Sequence, residues 1–258
     1  VSCIICLFNQ AGGVGKSTLA INLGYHLAQL KSAQTKKQYR VLLIDIDPQA
    51  SLTNFMGILP EDQENTIYNA VIDQEPLPIL SNIHGMDFVP SSQDLTSAEL
   101  ELVVADMRDL RLKYALEPIK EQYDFIIIDC PPSLGILSYI SLVASTHVLV
   151  PVQTQYKAFL GTELLLNTVT RVRSLPNKQL KIAGFIPTMY DARNSQDERT
   201  FLAMKEQLAE VGTVYDPIPR STAFADASEE NVPLAVFSPK HPSLPIMKKI
   251  AKALEKLL

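Results

Sequence analysis

Residues 9–18 read NQAGGVGKST, and the fold turns on this stretch. Its glycine run ends in Gly15-Lys16-Ser17 and lies between an apolar segment, CIICLF (3–8), and a segment of helical period, STLAINLGYHLAQL (17–30). In that setting Gly12, Gly13, Val14 and Gly15 form a phosphate cradle. The glycines let backbone N–H groups turn inward, and the following helix presents its positive end, with Lys16, Ser17 and Thr18 at its start. Lys16 is placed to reach the β- and γ-phosphates of a nucleotide, and the Ser17 hydroxyl to ligate magnesium. A purely structural glycine turn would leave the adjacent Lys-Ser unexplained.

Outward from the loop, short runs rich in Val, Ile and Leu alternate with helical segments. RVLLID, FIIID, HVLVPV and KIAGFI join CIICLF as predicted strands. Runs apolar on both faces belong inside a sheet covered by helices. LGILSYISLVAS, ALEPIKEQY, FLGTELLLNTVTRV and ERTFLAMKEQLAEV space their apolar residues three and four apart, as helices do. The alternation predicts an α/β fold: a doubly wound, mainly parallel sheet with helices on both faces, whose ligands sit beyond the carboxyl ends of the strands.

With 258 residues and 47% apolar content, the chain can bury a large core, and no Pro/Gly/Ser-rich stretch divides it, so a single domain over 1–258 is expected. The opening VSCIICLFNQ has no basic leader and ends after about eight apolar positions, which reads as a buried strand and a soluble, cytoplasmic protein. Three cysteines, Cys3, Cys6 and Cys130, argue against a disulfide framework. On a strand, Cys3 and Cys6 point to opposite faces, which suits core residues better than a metal pair. The net charge of −5 disfavours a polyanion-binding surface over the whole molecule but leaves room for a local basic patch.

Carboxylates close two of the strands. Asp129 ends FIIID, where it can hold magnesium through a water, and Asp45 ends RVLLID, where it can share that outer shell. Asp47 lies two residues beyond Asp45 on the same side of the chain; as a structural residue it would cap or turn the segment before SLTNFMG. Pro131 and Pro132 stiffen the segment after Asp129.

NQAGGVGKST resembles the deviant phosphate loop of the ParA/MinD-type partitioning ATPases, P-loop NTPases whose loop is normally Lys-Gly-Gly-x-Gly-Lys-Ser/Thr. VLLIDIDPQAS (41–51) is similar to the family's first switch, and YDFIIIDCPPSLG (123–135) to its Walker B strand and second switch. GFIPTMYDARN (184–194) and DPIPRS (216–221) are similar to its segments near the nucleotide base and the dimer and DNA face, which brings Met189, Pro219 and Arg220 to the nucleotide. The resemblance spans nearly the whole chain. It implies ATP and Mg2+ as cofactors, Asp47 as the group that orients or deprotonates the attacking water, a homodimer in the ATP state, and a cargo-linked protein that stimulates hydrolysis.

Ala11 departs from the pattern. The family's lysine there crosses to the partner subunit's phosphates, which alanine cannot do. Either Ala11 is an engineered substitution, or the charge comes from elsewhere. Lys157, in PVQTQYKAFLG (151–161), leaves the sheet on its ligand side directly before a predicted helix. A cation at a helix start opposes the macrodipole by about 0.3–1 kcal/mol, so its presence calls for a phosphate or for a solvated surface position. Relocation of this lysine resembles the McdA-type ATPases, which distribute carboxysomes over the nucleoid.

The resemblance also implies sequence-blind DNA binding and nucleoid association. Arg193 and Arg220 match positions near the family's DNA-facing edge. A terminal helix would place Ile246, Ile250, Leu254 and Leu257 on one stripe and Lys248, Lys249, Lys252 and Lys256 on the other side. Such contacts go to phosphates and weaken with salt. Ala223 stands where many relatives carry a further basic residue. A MinD-like membrane tail is the alternative, but this segment lacks Trp and Phe and has no flexible linker before it. A metal-cluster carrier would need paired surface cysteines, which Cys130 alone does not supply.

Overall fold

The structure is a computed structural model that describes residues 2–258. Strand β1 (Cys3–Leu7) runs into the glycine loop and α1 (Lys16–Gln29), and β2 (Val41–Asp45) into the short helices α2 (Ser51–Phe55) and α3 (Ile67–Val71). A hairpin of β3 (Leu80–Ile83) and β4 (Met86–Val89) leads to α4 (Leu95–Val104) and α5 (Arg111–Leu116). Next come β5 (Phe125–Asp129), α6 (Ile136–Ala144), β6 (His147–Gln153), α7 (Tyr156–Leu160) and α8 (Thr162–Ser174). The chain continues through β7 (Lys181–Thr188) and α9 (Ser195–Leu208) to α10 (Ala223–Glu229), α11 (Leu234–Phe237) and α12 (Leu244–Leu254).

One seven-stranded sheet has the order β3-β4-β2-β5-β1-β6-β7, parallel except for β3 against β4. From β1 the chain steps one way to β2, and from β5 it steps the other way to β6. The connections therefore diverge around the carboxyl end of β1, where a doubly wound sheet opens its ligand crevice. That end carries the glycine loop.

Side chains alternate between two cores. Cys6, Ile44, Ile126, Ile128 and Val150 pack under α4, α5, α6 and α8, while Ile5, Leu7, Leu43, Ile127 and Leu149 pack under α1 and α12. Both faces are covered, which is why β1, β2 and β5 are continuous apolar runs. Cys3 and Cys6 fall in opposite cores, as their spacing requires, and all three cysteines are free and buried.

Several boundaries differ from the sequence expectation. The β3–β4 hairpin was not anticipated: its strands are four residues long, and Ser81 and Asn82 are exposed, so no long apolar run marks it. His84 and Gly85, both at positive φ (54° and 80°), make the tight two-residue turn. The helix expected over ALEPIKEQY ends at Leu116, because Pro118 disfavours helical backbone before it, and only a 3-10 turn at Lys120–Gln122 follows. In α12 the buried stripe is Leu244, Met247, Ile250, Ala251 and Leu254, whereas Ile246 and Leu257 lie half-buried at its flank.

Candidate functional site

The loop after β1 is held open by its own side chains. Asn9 donates through Nδ2 to the Pro151 carbonyl on β6 (2.6 Å) and accepts the Ala11 amide through Oδ1 (2.9 Å). Gly13 and Gly15 adopt φ of 71° and 88°, in the left-handed region that only glycine enters without strain. Gly15 is also the N-cap of α1 and has no side-chain cap, so the first amides of the helix remain available to an anion. Val14 is buried, and its carbonyl accepts the Thr188 hydroxyl at 3.0 Å, tying the loop to β7.

Lys16 folds back under this loop. Its ammonium donates to the carbonyls of Asn9 (3.0 Å) and Ala11 (3.1 Å), and the residue is 7% exposed. Burial lowers its pKa, while the carboxylates of Asp129 and Asp47 and the nearby Cys130 oppose that shift. The fold thus brings Lys16, Asp47 and Asp129 into one electrostatic neighbourhood.

Asp129 ends β5 beside Leu7, at the root of the loop. It is fully buried, and neither carboxylate oxygen has a hydrogen-bond partner. Burial, and then the charge of Asp45, raise its pKa well above the usual carboxylate range. The Ser17 hydroxyl, though short of hydrogen-bond geometry, and the Lys16 ammonium partly offset this. A bare, desolvated carboxylate facing a hydroxyl and a lysine is what a small hard cation with oxygen ligands would relieve.

Asp45 is different, because the chain itself engages its carboxylate. Its Oδ1 accepts the Asp47 amide (3.0 Å), and its Oδ2 accepts both the amide and the hydroxyl of Thr53 (2.8 Å each). These donors partner both carboxylate oxygens and brace the start of α2. Burial still raises its pKa to about 7. Asp47 is buried; its Oδ1 accepts the Gln49 amide (2.9 Å), and its carbonyl accepts the Ser91 hydroxyl (2.6 Å). The side chain therefore forms a turn, while the N-cap of α2 is Ala50. Thr53, Ser91 and Asn9, which position these groups, had no distinguishing signal in the sequence.

Beyond the loop, two recesses share Met189. A small, mostly apolar cleft of about 60 Å³ is lined by Gly15, Thr18, Thr188, Met189, Pro219 and Ser221, among others. A backbone bridge shapes it: the Tyr190 amide donates to Ile218 O, and the Arg220 amide to Tyr190 O. The second recess, about 410 Å³, is lined by Lys157, Arg220, Met189, Asp191 and Asp197 among its residues. Lys157 is exposed within the first turn of α7 rather than before it. Gln10 links that region to the loop, donating through Nε2 to Gly161 O at 2.7 Å.

Of the predicted DNA contacts, Arg193 and Arg220 both act on Asp191, and Lys248, Lys249 and Lys252 lie on α12. Arg193 makes a forked ion pair with Asp191 (3.1 Å to each oxygen). Lys249 pairs with Asp216 (2.6 Å) and Lys252 with Glu255 (3.1 Å), while Lys248 is exposed on the same helix. Among the described residues no cluster of three or more His, Cys, Asp or Glu is arranged to hold a metal, and no helix is long and apolar enough to cross a membrane.

Known proteins match this architecture. The family described as an AAA domain matches residues 2–182. The sporulation initiation inhibitor protein Soj of Bacillus subtilis is 38% identical over 253 residues, 96% of either chain. The chromosome partitioning protein ParA of Caulobacter vibrioides is 36% identical over 244 residues, 92% of this chain and 88% of that one. Among solved structures, cobyrinic acid a,c-diamide synthase of Mycobacterium smegmatis with a bound ATP analogue and magnesium superposes with a TM-score of 0.85 at 30% identity, covering 98% of this chain and 94% of that one. Apo McdA from Cyanothece gives a TM-score of 0.87 at 25% identity, covering 98% and 99%. A glycine loop with its lysine, a bare aspartate at the head of the central strand and relatives of this extent lead to one conclusion: the chain belongs to the ParA/MinD-type family of P-loop partitioning ATPases.

Proposed function

We propose that residues 1–258 form a single magnesium-dependent ATPase domain that closes as a homodimer around two ATP molecules. In that state it binds DNA without sequence preference, and it is released when a cargo-linked protein stimulates hydrolysis. The observation that carries this reading is Asp129: a fully buried carboxylate with both oxygens unpartnered, beside Ser17 and Lys16 and beneath an uncapped helix start. The residues present fit Mg2+-ATP, because the loop amides and Lys16 supply donors for phosphate oxygens, and Ser17 and Asp129 supply hard oxygen ligands. Magnesium, when bound, neutralises charge between the β- and γ-phosphates.

On this reading Lys16 leaves the carbonyls of Asn9 and Ala11 to hold phosphate, an exchange of partners for a donor already desolvated. Asp47 orients or deprotonates the water. Met189 and Pro219 line the side where the base would lie. Lys157, exposed near Arg220, replaces the crossing lysine absent at Ala11. Hydrolysis by the lone subunit is slow because the site is complete only between two copies.

The pairing of Ala11 with Lys157, together with the likeness to McdA, favours carboxysomes as cargo and a McdB-like stimulating partner; the ParA relative supports a chromosome or plasmid with a ParB-like partner as the other cargo. The protein is then cytoplasmic and nucleoid-associated. The amphipathic α12, with its exposed lysines, would also suit a MinD-like attachment to anionic lipid. Calorimetry with Mg2+-ATP tests the core of the proposal. Heat is expected from the unaltered protein and not from Lys16→Ala; no heat from the unaltered protein overturns the reading.

A further inference from the structure

Twenty residues apart in the chain, Ser221 and His241 meet at the rim of the small cleft: the Ser221 hydroxyl oxygen lies 3.0 Å from His241 Nε2. A serine beside a histidine suggests a nucleophile and its base, but the second ring nitrogen decides otherwise. His241 Nδ1 receives the Ser243 amide at 3.2 Å. A backbone N–H can only donate, so Nδ1 is the unprotonated nitrogen and the ring proton sits on Nε2. His241 therefore donates to Ser221 and cannot take its proton.

The Ser221 oxygen also accepts the Ala223 amide (3.3 Å). With two donors on its two lone pairs, the one function it has left is its own O–H. Burial lowers the His241 pKa, which keeps the ring neutral near pH 7, and the edge-on packing of Phe224 against it (5.7 Å between centroids) fixes its plane.

On the wall formed by Met189, Ile218, Pro219, Ser221, Phe224 and Met247, Ser221 is the one polar side chain. The neighbouring Thr188 hydroxyl is already donated to Val14 O. The wall thus offers apolar surface to the faces of a flat ring and a single directed hydrogen to its edge. Gly15 and Thr18 of the phosphate loop close the other side, so the ring would belong to the molecule whose phosphates the loop holds.

Building on the nucleotide reading above, we infer that Ser221 is a specificity-determining donor to a ring nitrogen of a purine base, and that His241 is the positioning residue that aims it. A base with an acceptor nitrogen at that edge gains a hydrogen bond, whereas one with an N–H there meets a hydroxyl that can only donate. Ser221 and His241 lie on separate segments, after β7 and before α12, so the donor is set only when the last helix has docked.

Calorimetric titration with Mg2+-ATP and with 1-, 3- and 7-deaza-ATP tests this on the unaltered protein and on Ser221→Ala, His241→Ala and His241→Gln. Ser221→Ala is expected to weaken Mg2+-ATP by roughly 3- to 10-fold, the worth of one net hydrogen bond. One deaza analogue should show the same loss on the unaltered protein and none beyond it on Ser221→Ala. His241→Ala should weaken binding when Ser221 is present and not in the double variant. His241→Gln, whose amide N–H can stand in for Nε2–H, should restore affinity, with thermal melting reporting any loss of fold. Unchanged ATP affinity in Ser221→Ala, or three analogues that all bind like ATP, overturns the inference while leaving the nucleotide reading intact. An unaltered protein that binds no Mg2+-ATP overturns both.

Discussion

Asp45 and Asp129 stand opposite one another at the ends of the adjacent parallel strands β2 and β5, and the chain satisfies one while leaving the other bare. Asp45 receives three hydrogen bonds from Asp47 and Thr53; Asp129 receives none. Burial, and then the charge of Asp45, push Asp129 toward its neutral form, whereas Asp45 is raised by its own burial, with the charge of Asp47 adding to it. An unpaired buried anion costs several kcal/mol unless it is protonated or meets a cation. In the proposed metal site Asp129 is the carboxylate left bare for a cation, while Asp45 braces the segment from Asp47 to Thr53.

Asp129→Asn is expected to leave the nucleotide-free protein about as stable as the original, because a neutral amide of the same shape replaces a buried, unpartnered carboxyl already pushed toward its neutral form. Its affinity for ATP should no longer rise when magnesium is added, a loss of at least about tenfold, on the order of 1.4 kcal/mol. Titration of ATP with and without magnesium checks this, and a magnesium effect that persists would take Asp129 out of the metal site.

Lys157→Ala should have little effect on folding, since surface substitutions of this kind shift stability by about 0.5 kcal/mol or less. It should nonetheless abolish the ATP-dependent dimer seen by light scattering. If dimers form as before, Lys157 does not replace the lysine missing at Ala11.

The proposed DNA contacts are to phosphates, so retention on DNA should fall steeply between low and moderate salt. Lys248→Glu should weaken it more than Lys249→Glu, because Asp216 already neutralises part of the Lys249 charge at 2.6 Å. Filter binding over a salt series, with anionic vesicles in parallel, measures both. Binding to vesicles and not to DNA would favour the membrane reading.

His26, in the last turn of α1, is 4% exposed, and its Nε2 has no partner. Burial, with Lys248 nearby, lowers its pKa to about 4 from the ordinary 6.5. A folded-state pKa below the unfolded value means that the unfolded chain binds the proton more readily. The stability tied to neutral His26 is present above about pH 6.5 and is lost as the pH falls toward 4. Melting temperatures across that window should drop more steeply for the unaltered protein than for His26→Phe; parallel curves would show that His26 contributes nothing to acid sensitivity.

Much of this arrangement was legible in the linear chain. The five central and flanking parallel strands announce themselves because a strand covered on both faces must be apolar throughout, and CIICL, VLLID and FIIID are. The glycine loop was equally plain, because only glycine takes the backbone of positions 13 and 15 and only a phosphate explains the adjacent lysine and serine. The β3–β4 hairpin was not, since a four-residue edge strand with polar outward positions has too little pattern to separate it from a loop.

What the sequence by itself determined is the layer order, the phosphate loop and the candidate charges, all of which follow from local period and residue type. Only the tertiary structure decided which charges are free. Asp45 and Asp129 each end an apolar run and look alike in one dimension; the hydroxyl and amide of Thr53, eight residues past Asp45, partner one and leave the other bare. Lys249 and Asp216, like Ser221 and His241, become partners only across separate segments. Hydrogen bonds and desolvation depend on what lies within about 3 Å in space, and folding sets that distance independently of separation along the chain.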